Sequence, residues 1–477
     1  MEPHYDAVVI GCGPAGERAA IQAARAGKRV AVVEQADVVG GNRVNWGTIP
    51  SKTLRESALF VLGLTRDKLH GIRVEIPDGI TVSDFTFRER VVVHRELELI
   101  NESLDRYHIQ VFQGHARFVD PHTVAVYGVE GQLRTELTGD VVVIATGSRP
   151  NRPGDVAFDG DRIFDSESIL SLPRIPRSML VLGAGVIGIE YASIFAALGV
   201  QVTLVDTRER LLPYCDREIV EILERELRWL GMVLLHSDRY EAIGLVDEEP
   251  RRVRCRTRSG NILEADVLLY CVGRDGNTDD LGLEALGLES TGYGLLQVNE
   301  HFQTAHPHVY AVGDVIGYPA LASTSMEQGR QAMRHAFTIP GLPLRTEVLP
   351  FAVYSIPEIS YIGDTEESLQ ARGVDYVAGR ARYDMNPRGQ IIGDMGGMLK
   401  LLFEGDSLRL LGVHIVGTGA SELVHIGQAF LTSNATALQI AETLYNYPTL
   451  SDLYRHASLK ALTEHRRRRS PSEPLQS

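Results

Sequence analysis

The chain has 477 residues, of which 44% are hydrophobic and 23% charged, and a formal net charge of −14. That length exceeds one ordinary core and predicts about two to four domains, while the acidic balance argues against a nucleic-acid surface. No apolar run approaches the ~20 residues of a membrane-spanning helix. The N-terminus, MEPHYDAVVIGCG, lacks a charged stretch followed by a long apolar run, so no signal peptide is expected. The four cysteines, Cys12, Cys215, Cys255 and Cys271, form no close pair, which indicates neither a metal site nor a disulfide framework. A cytoplasmic location is the simplest expectation.

Taken in chain order, the first element is residues 5–34, YDAVVIGCGPAGERAAIQAARAGKRVAVVE. It reads as an apolar strand, a glycine turn, a helix rich in small residues, and a second apolar strand ending in an acid. Residues 178–206, SMLVLGAGVIGIEYASIFAALGVQVTLVD, repeat the unit with the same spacing from first glycine to acid. Each is the start of a βαβ unit, and the continuous apolar strands imply a parallel sheet covered on both faces. Between the copies, DVVVIATGSRP (140–150) is a buried strand that runs into a domain edge. Later come ADVLLYCVGR (265–274) and HVYAVGDVIGYP (308–319), the latter a buried strand leading into Gly-Asp. From about 350, strand-like pieces such as LKLLFEG alternate with helix-like ones such as SELVHIGQAFLTS, as in an α+β domain. The polar end, EHRRRRSPSEPLQS, reads as a disordered tail.

Each glycine fingerprint has a mechanism. Gly11 permits a tight turn, Gly13 lets backbone approach a pyrophosphate, and Gly16 allows close helix–strand packing. The helix N-terminus then offers free N–H groups and a positive dipole to phosphate. Glu34 falls where a carboxylate accepts bonds from ribose hydroxyls. Gly183, Gly185, Gly188 and Asp206 meet the same tests in the second copy. Asp206 suits the 2′-hydroxyl of NAD, whereas the nearby Arg208 and Arg210 suit the 2′-phosphate of NADP, or else are solvated surface charges.

Taken together, GCGPAG, GTIPSK, ATGSRP, GAGVIG and TAHPHVYAVGD resemble the pyridine nucleotide-disulfide oxidoreductase family over residues 5–460. The resemblance implies an α/β fold. Two Rossmann-like dinucleotide-binding domains would carry FAD on the first unit and NAD(P)H on the second, followed by a C-terminal α+β dimerisation domain. The expected division is 1–150 for the first part of the FAD domain, 151–275 for NAD(P), 276–345 for the second FAD part, 346–465 for dimerisation, and 466–477 for the tail. The family pattern further implies that Asp314 bonds the flavin ribityl chain. His115 and Ala116 pass the adenine, and Thr146 and Gly147 join the FAD set. Lys52 stands beside the flavin with Glu190 as its acidic partner. Gly273 joins the NAD(P) set.

Two departures from the family pattern agree with each other. The disulfide reductases carry GGxCxNxGCIPSK, whereas residues 40–52 read GGNRVNWGTIPSK, with Arg43 and Thr48 at the two cysteine positions. Neither side chain can perform disulfide exchange. The family's C-terminal His-x-His-Pro-Thr and Glu are represented by YNYPTLSD, so Tyr447 replaces the acid/base histidine and Asp452 the glutamate. A phenol with a pKa of about 10 is poorly matched to proton transfer at neutral pH. Within the family, the motifs look closest to the soluble pyridine nucleotide transhydrogenases. That branch implies hydride transfer between NADPH and NAD⁺ through bound FAD by a ping-pong route, in a homodimer or higher homo-oligomer. The rival expectations are an NAD(P)H:quinone or dye reductase of the same fold, dihydrolipoamide dehydrogenase, and a non-catalytic nucleotide-binding module.

Overall fold

The computed structural model describes residues 3–66, 87–246, 251–342 and 348–469. By density of internal contacts the chain divides into two compact units. The first comprises Met1–Glu56, Ile76–Ile175 and Cys271–Leu344, and the second Ser57–Glu75, Pro176–Tyr270 and Arg345–Ser477.

The first unit is built around a sheet whose parallel part has the order Gln110–Gln113, Val30–Glu34, His4–Ile10 and Leu133–Ile144, with Val309–Ala311 also parallel to the last of these. The strand Leu133–Ile144 continues into an antiparallel meander with Thr123–Tyr127 and His115–Asp120. Val30–Glu34 is buried at every position, as a strand covered on both faces must be. The fingerprint helix Pro14–Arg25 lies against the helix Ala322–Ala336. A side chain at Gly329 would stand 2.2 Å from the Ala15 carbonyl oxygen, so glycine sets how closely these helices cross. The edge suggested by ATGSRP is a two-stranded ribbon, Ser148–Pro150 antiparallel to Arg274–Gly276.

The second unit repeats the parallel start. Val233–Leu235, Gln201–Val205, Ser178–Leu182 and Val267–Tyr270 are neighbours in that order, all parallel. The helix Val186–Ala197 is buried along most of its length. A three-stranded antiparallel sheet, Tyr240–Val246, Arg252–Thr257 and Ile262–Ala265, follows. The α+β part is an antiparallel sheet in the order Phe351–Val353, Ile359–Gly363, Leu410–Val416, Met398–Glu404 and Tyr376–Arg382. Its core includes Tyr383, Phe403 and Tyr454.

The last helix among the described residues, Leu453–Arg469, runs four residues into the segment 466–477 expected to be a disordered tail. Arg468 and Arg469 are anchored there to the Tyr376 carbonyl (2.8 Å) and to Asp406 (3.1 Å), and cations near a helix C-terminus complement its dipole. The rest of the expected tail lies outside the described residues. Among the described residues no helix is long and apolar enough to cross a membrane.

Candidate functional site

The first fingerprint opens a cavity of about 360 Å³ in the first unit. Gly11 turns at φ +98°, and a side chain there would stand 2.5 Å from the Ala145 carbonyl oxygen. A side chain at Gly16 would meet the Gly11 carbonyl oxygen at 1.9 Å, so only glycine lets the helix sit so close to the turn. Gly13 caps the helix in extended conformation, and Gly13, Pro14 and Ala15 present the helix N-terminus to the cavity. The predicted residues Gly11, Gly13, Glu34, His115, Ala116, Thr146, Gly147 and Asp314 all line this one space, while Gly16 supports it from behind.

Glu34 is fixed by two backbone donors: Cys12 N–H donates to Oε2 at 2.7 Å and Ala36 N–H to Oε1 at 2.9 Å. Burial raises its pKa against these two bonds. It forms no ion pair among the described residues, so part of its acceptor capacity stays open to the cavity. Ser148 Oγ donates to Asp314 Oδ2 at 2.8 Å, and Asn277 holds the turn by donating to the carbonyl oxygens of Thr146 (2.9 Å) and Gly147 (3.0 Å). Gln328 Oε1 accepts from Gly313 N–H at 2.8 Å. Ser148 sits inside ATGSRP, but its bond to Asp314 spans 166 positions and that of Asn277 to Thr146 spans 131, so sequence reasoning missed both roles; Gln328 carries no motif of its own. The segments ATGSRP and GRDGN, once paired as a ribbon, were the available signal.

His115 Nε2 and Thr146 Oγ1 are buried without a hydrogen-bond partner among the described residues. Such groups are costly unless satisfied, and both belong to residues on the cavity wall. With the helix N-terminus and Glu34, they fit a dinucleotide of the FAD type. Lys52 is on the helix Thr48–Arg66. It and the exposed Thr48 are not among the residues lining the cavity, and Lys52 Nζ donates to Ser51 Oγ at 3.3 Å.

In the second unit Gly183 turns at φ +95° and Gly185 caps the helix in extended conformation, with Gly188 buried inside it. Asp206 Oδ2 accepts from Ala184 N–H at 2.5 Å, and Oδ1 from Arg208 N–H at 2.8 Å. The Arg208 guanidinium also grips both oxygens, through Nε at 2.7 Å and Nη2 at 2.7 Å. Burial opposes the charge on Asp206, yet the Arg208 and backbone bonds outweigh it and hold the carboxyl below its ordinary pKa. Arg210 is committed differently. It donates to Glu367 at 3.0 Å and to the Pro213 carbonyl at 2.8 Å. Glu190 is buried and accepts from Tyr354 N–H at 2.9 Å. Gly273 falls in the first unit, at φ +85°.

Residues 5–329 match the family model described as pyridine nucleotide-disulphide oxidoreductase, and residues 349–458 match its dimerisation domain. The chain belongs to this family. It is 46% identical to a protein of Mycobacterium tuberculosis called soluble pyridine nucleotide transhydrogenase, over 97% of this chain and 98% of that one. A protein of the same name from Shigella flexneri is 43% identical over 96% and 99%. Among solved structures, LpdA from M. tuberculosis superposes with a TM-score of 0.87 at 28% identity, covering 95% of this chain and 99% of that one. The HOCl-induced flavoprotein disulfide reductase RclA from Escherichia coli gives 0.85 at 26%, over 95% and 99%.

Arg43 and Thr48 occupy the two positions where the family's disulfide reductases are expected to carry cysteines. Arg43, at the first expected cysteine position, donates from Nη2 to Glu17 Oε2 at 2.9 Å, and both side chains are largely buried. All four cysteines are free. Burial pushes the Cys215 thiol up to about 12 and Cys255 to about 11, and Cys12 higher still, which keeps them protonated and unreactive. At the other departure, Tyr447 is exposed and Asp452 pairs with His456 Nε2 at 3.1 Å.

Proposed function

We propose that this chain is an FAD-dependent transhydrogenase that moves hydride between NADPH and NAD⁺ by a ping-pong route without a redox-active disulfide. The observation that carries the reading is Arg43, committed to a buried ion pair with Glu17 where thiol chemistry would require a cysteine. Relatives called soluble pyridine nucleotide transhydrogenase, matched over nearly their whole length, support the same activity.

FAD, when bound, supplies a two-electron carrier that takes hydride from one nicotinamide and returns it to another. The protein's part is to bind and orient. Gly11, Gly13 and the helix N-terminus hold the pyrophosphate, with Gly16 allowing the close packing, and Glu34 accepts from ribose hydroxyls. His115 and Ala116 would flank the adenine and Asp314 would hold the ribityl chain, with Thr146 and Gly147 completing the FAD set. Gly183, Gly185, Gly188 and Asp206, with Arg208, receive NADPH and NAD⁺ in turn, and Gly273 belongs to that set by motif. Lys52 supplies positive charge near the flavin and Glu190 the acidic counterpart. Hydride transfer needs no general base, so replacing the family histidine by Tyr447 leaves the reaction intact.

Anaerobic stopped flow tests the reading. NADPH is expected to bleach the flavin absorbance and NAD⁺ to restore it; flavin that stays reduced on NAD⁺ addition refutes the transhydrogenase assignment. A quinone turned over far faster than NAD⁺ would assign the chain as a quinone or dye reductase instead. The same reading places the protein in the cytoplasm as a homodimer or higher homo-oligomer, checked by fractionation and by sedimentation. It divides the chain at about 150, 275, 345 and 465, checked by limited proteolysis.

A further inference from the structure

Asp206 has a neighbour that its counterpart Glu34 lacks. In both copies the acid accepts from the N–H of the residue after the first glycine, Cys12 at 2.7 Å and Ala184 at 2.5 Å. In both it also accepts from the N–H two residues further along the chain, Ala36 at 2.9 Å and Arg208 at 2.8 Å. The backbone frame is therefore the same, and the side chain at that last position is methyl in one copy and guanidinium in the other.

A carboxylate offers about four acceptor positions. At Glu34 the frame uses two, leaving room for a ribose diol. At Asp206 the frame uses two and Arg208 fills the rest, through Nε and Nη2, both at 2.7 Å. A nucleotide with a free 2′-hydroxyl gains its acceptor only when the guanidinium leaves. A 2′-phosphate beside Asp206 would meet like charge unless the same guanidinium turned onto it. Its side chain is 37% exposed, so solvent is open to it.

The surrounding residues do not share this freedom. Arg210 is tied to Glu367, to the Pro213 carbonyl and, at 3.5 Å, to the Cys215 carbonyl. Asp216, which caps the next helix, is gripped at 2.8 and 2.9 Å by Lys400, itself fully buried. The segment after Asp206 is thus fastened at its far end.

We propose that Arg208 is a movable cover on Asp206. It turns aside for the 2′-hydroxyl of NAD⁺ and turns onto the 2′-phosphate of NADPH, while Arg210 only anchors the segment. This deepens the transhydrogenase reading and rests on its assignment of both nucleotides to the second fingerprint. One pocket then serves two substrates through a single side chain.

The test titrates FAD-loaded protein with ADP-ribose and with 2′-phospho-ADP-ribose by calorimetry, ligands that bind without hydride transfer. Arg208→Leu is expected to weaken the 2′-phosphorylated ligand about 10- to 100-fold, the worth of a lost charge-assisted pair, and to leave ADP-ribose unchanged or tighter. Arg208→Lys should restore part of the loss. Asp206→Asn should weaken ADP-ribose and spare the 2′-phosphorylated ligand. Arg210→Leu should change both affinities by the same factor. Equal weakening of both ligands by Arg208→Leu overturns the proposal, as does selective loss of the 2′-phosphorylated ligand in Arg210→Leu, or failure of either ligand to bind the parent protein. If the affinities shift as stated but NADPH-reduced flavin is not reoxidised by NAD⁺, the catalytic reading falls and the role of Arg208 stands.

Discussion

The two dinucleotide fingerprints share a backbone and differ in charge. Gly11 and Gly183 turn at φ +98° and +95°, and Gly13 and Gly185 cap their helices at φ −73° and −72°. Each acid is held by a matching pair of N–H groups. Around that frame the sequences diverge. The first helix carries Glu17, bonded to Arg43, where the second carries the buried Ile189. The first acid keeps an open carboxylate, whereas the second is closed by Arg208. A resident cofactor favours a site that binds once and tightly. A site that must exchange two substrates can use a group that competes with one and binds the other.

The largest expected effect tests the shared frame. Gly16→Val places branched carbons against the Gly11 carbonyl, already 1.9 Å from an added side chain. The purified protein should lose its flavin absorbance, while the matching Gly188→Val should stay yellow and lose NADPH-dependent bleaching. A yellow Gly16→Val protein would mean that the first fingerprint does not hold FAD.

The next effect tests the first helix's ion pair. Glu17→Gln leaves Arg43 largely buried without its carboxylate and should destabilise the chain by about 3 kcal/mol in denaturant unfolding. Ile189→Val, its counterpart, should cost only about 1 kcal/mol by removing one methylene.

A smaller effect comes from transplanting the difference. Ala36→Arg puts a guanidinium at the position equivalent to Arg208. It should lower FAD affinity about 10-fold by competing for Glu34. Unchanged FAD retention on dilution would show that the cover does not work outside its own segment.

The smallest effect is a titration. Arg208 and the backbone bonds hold Asp206 below its ordinary pKa, so its stabilisation is full above the unfolded value of about 3.9 and is lost as pH falls through the depressed folded one. Burial raises Glu34, so its contribution is full below the unfolded value of about 4.3 and is lost as pH rises through the raised folded one. Carboxyl-carbon NMR should show the two acids moving apart in opposite directions. In Arg208→Leu the Asp206 value should rise, and no movement there would break the assigned cause.

Gly11, Gly13 and Glu34 were legible from the spacing of the fingerprint itself, whereas His115, Thr146 and Asp314 were reached only through the family resemblance; all six line the first cavity. The residues that brace them were not legible. Ser148 reaches Asp314 across 166 positions of sequence, and Asn277 reaches Thr146 across 131. Lys400 read as part of an apolar strand, yet it is fully buried among Asp216, Glu218 and Glu366. The arginine run near the C-terminus read as unstructured, but Arg468 and Arg469 are anchored by residues 92 and 63 positions away.

The sequence by itself determined the two turns, the capped helices and the reach of each acid, because these depend on backbone sterics and on spacing within one short βαβ unit. It also determined that no thiol pair stands in the loop at 40–52. Only the tertiary structure decided where the charges go: Arg43 to Glu17, Arg208 onto Asp206, and Arg210 away to Glu367. A long charged side chain has several partners within reach. Which one it takes depends on how far each is desolvated by packing, and packing brings together residues far apart in sequence.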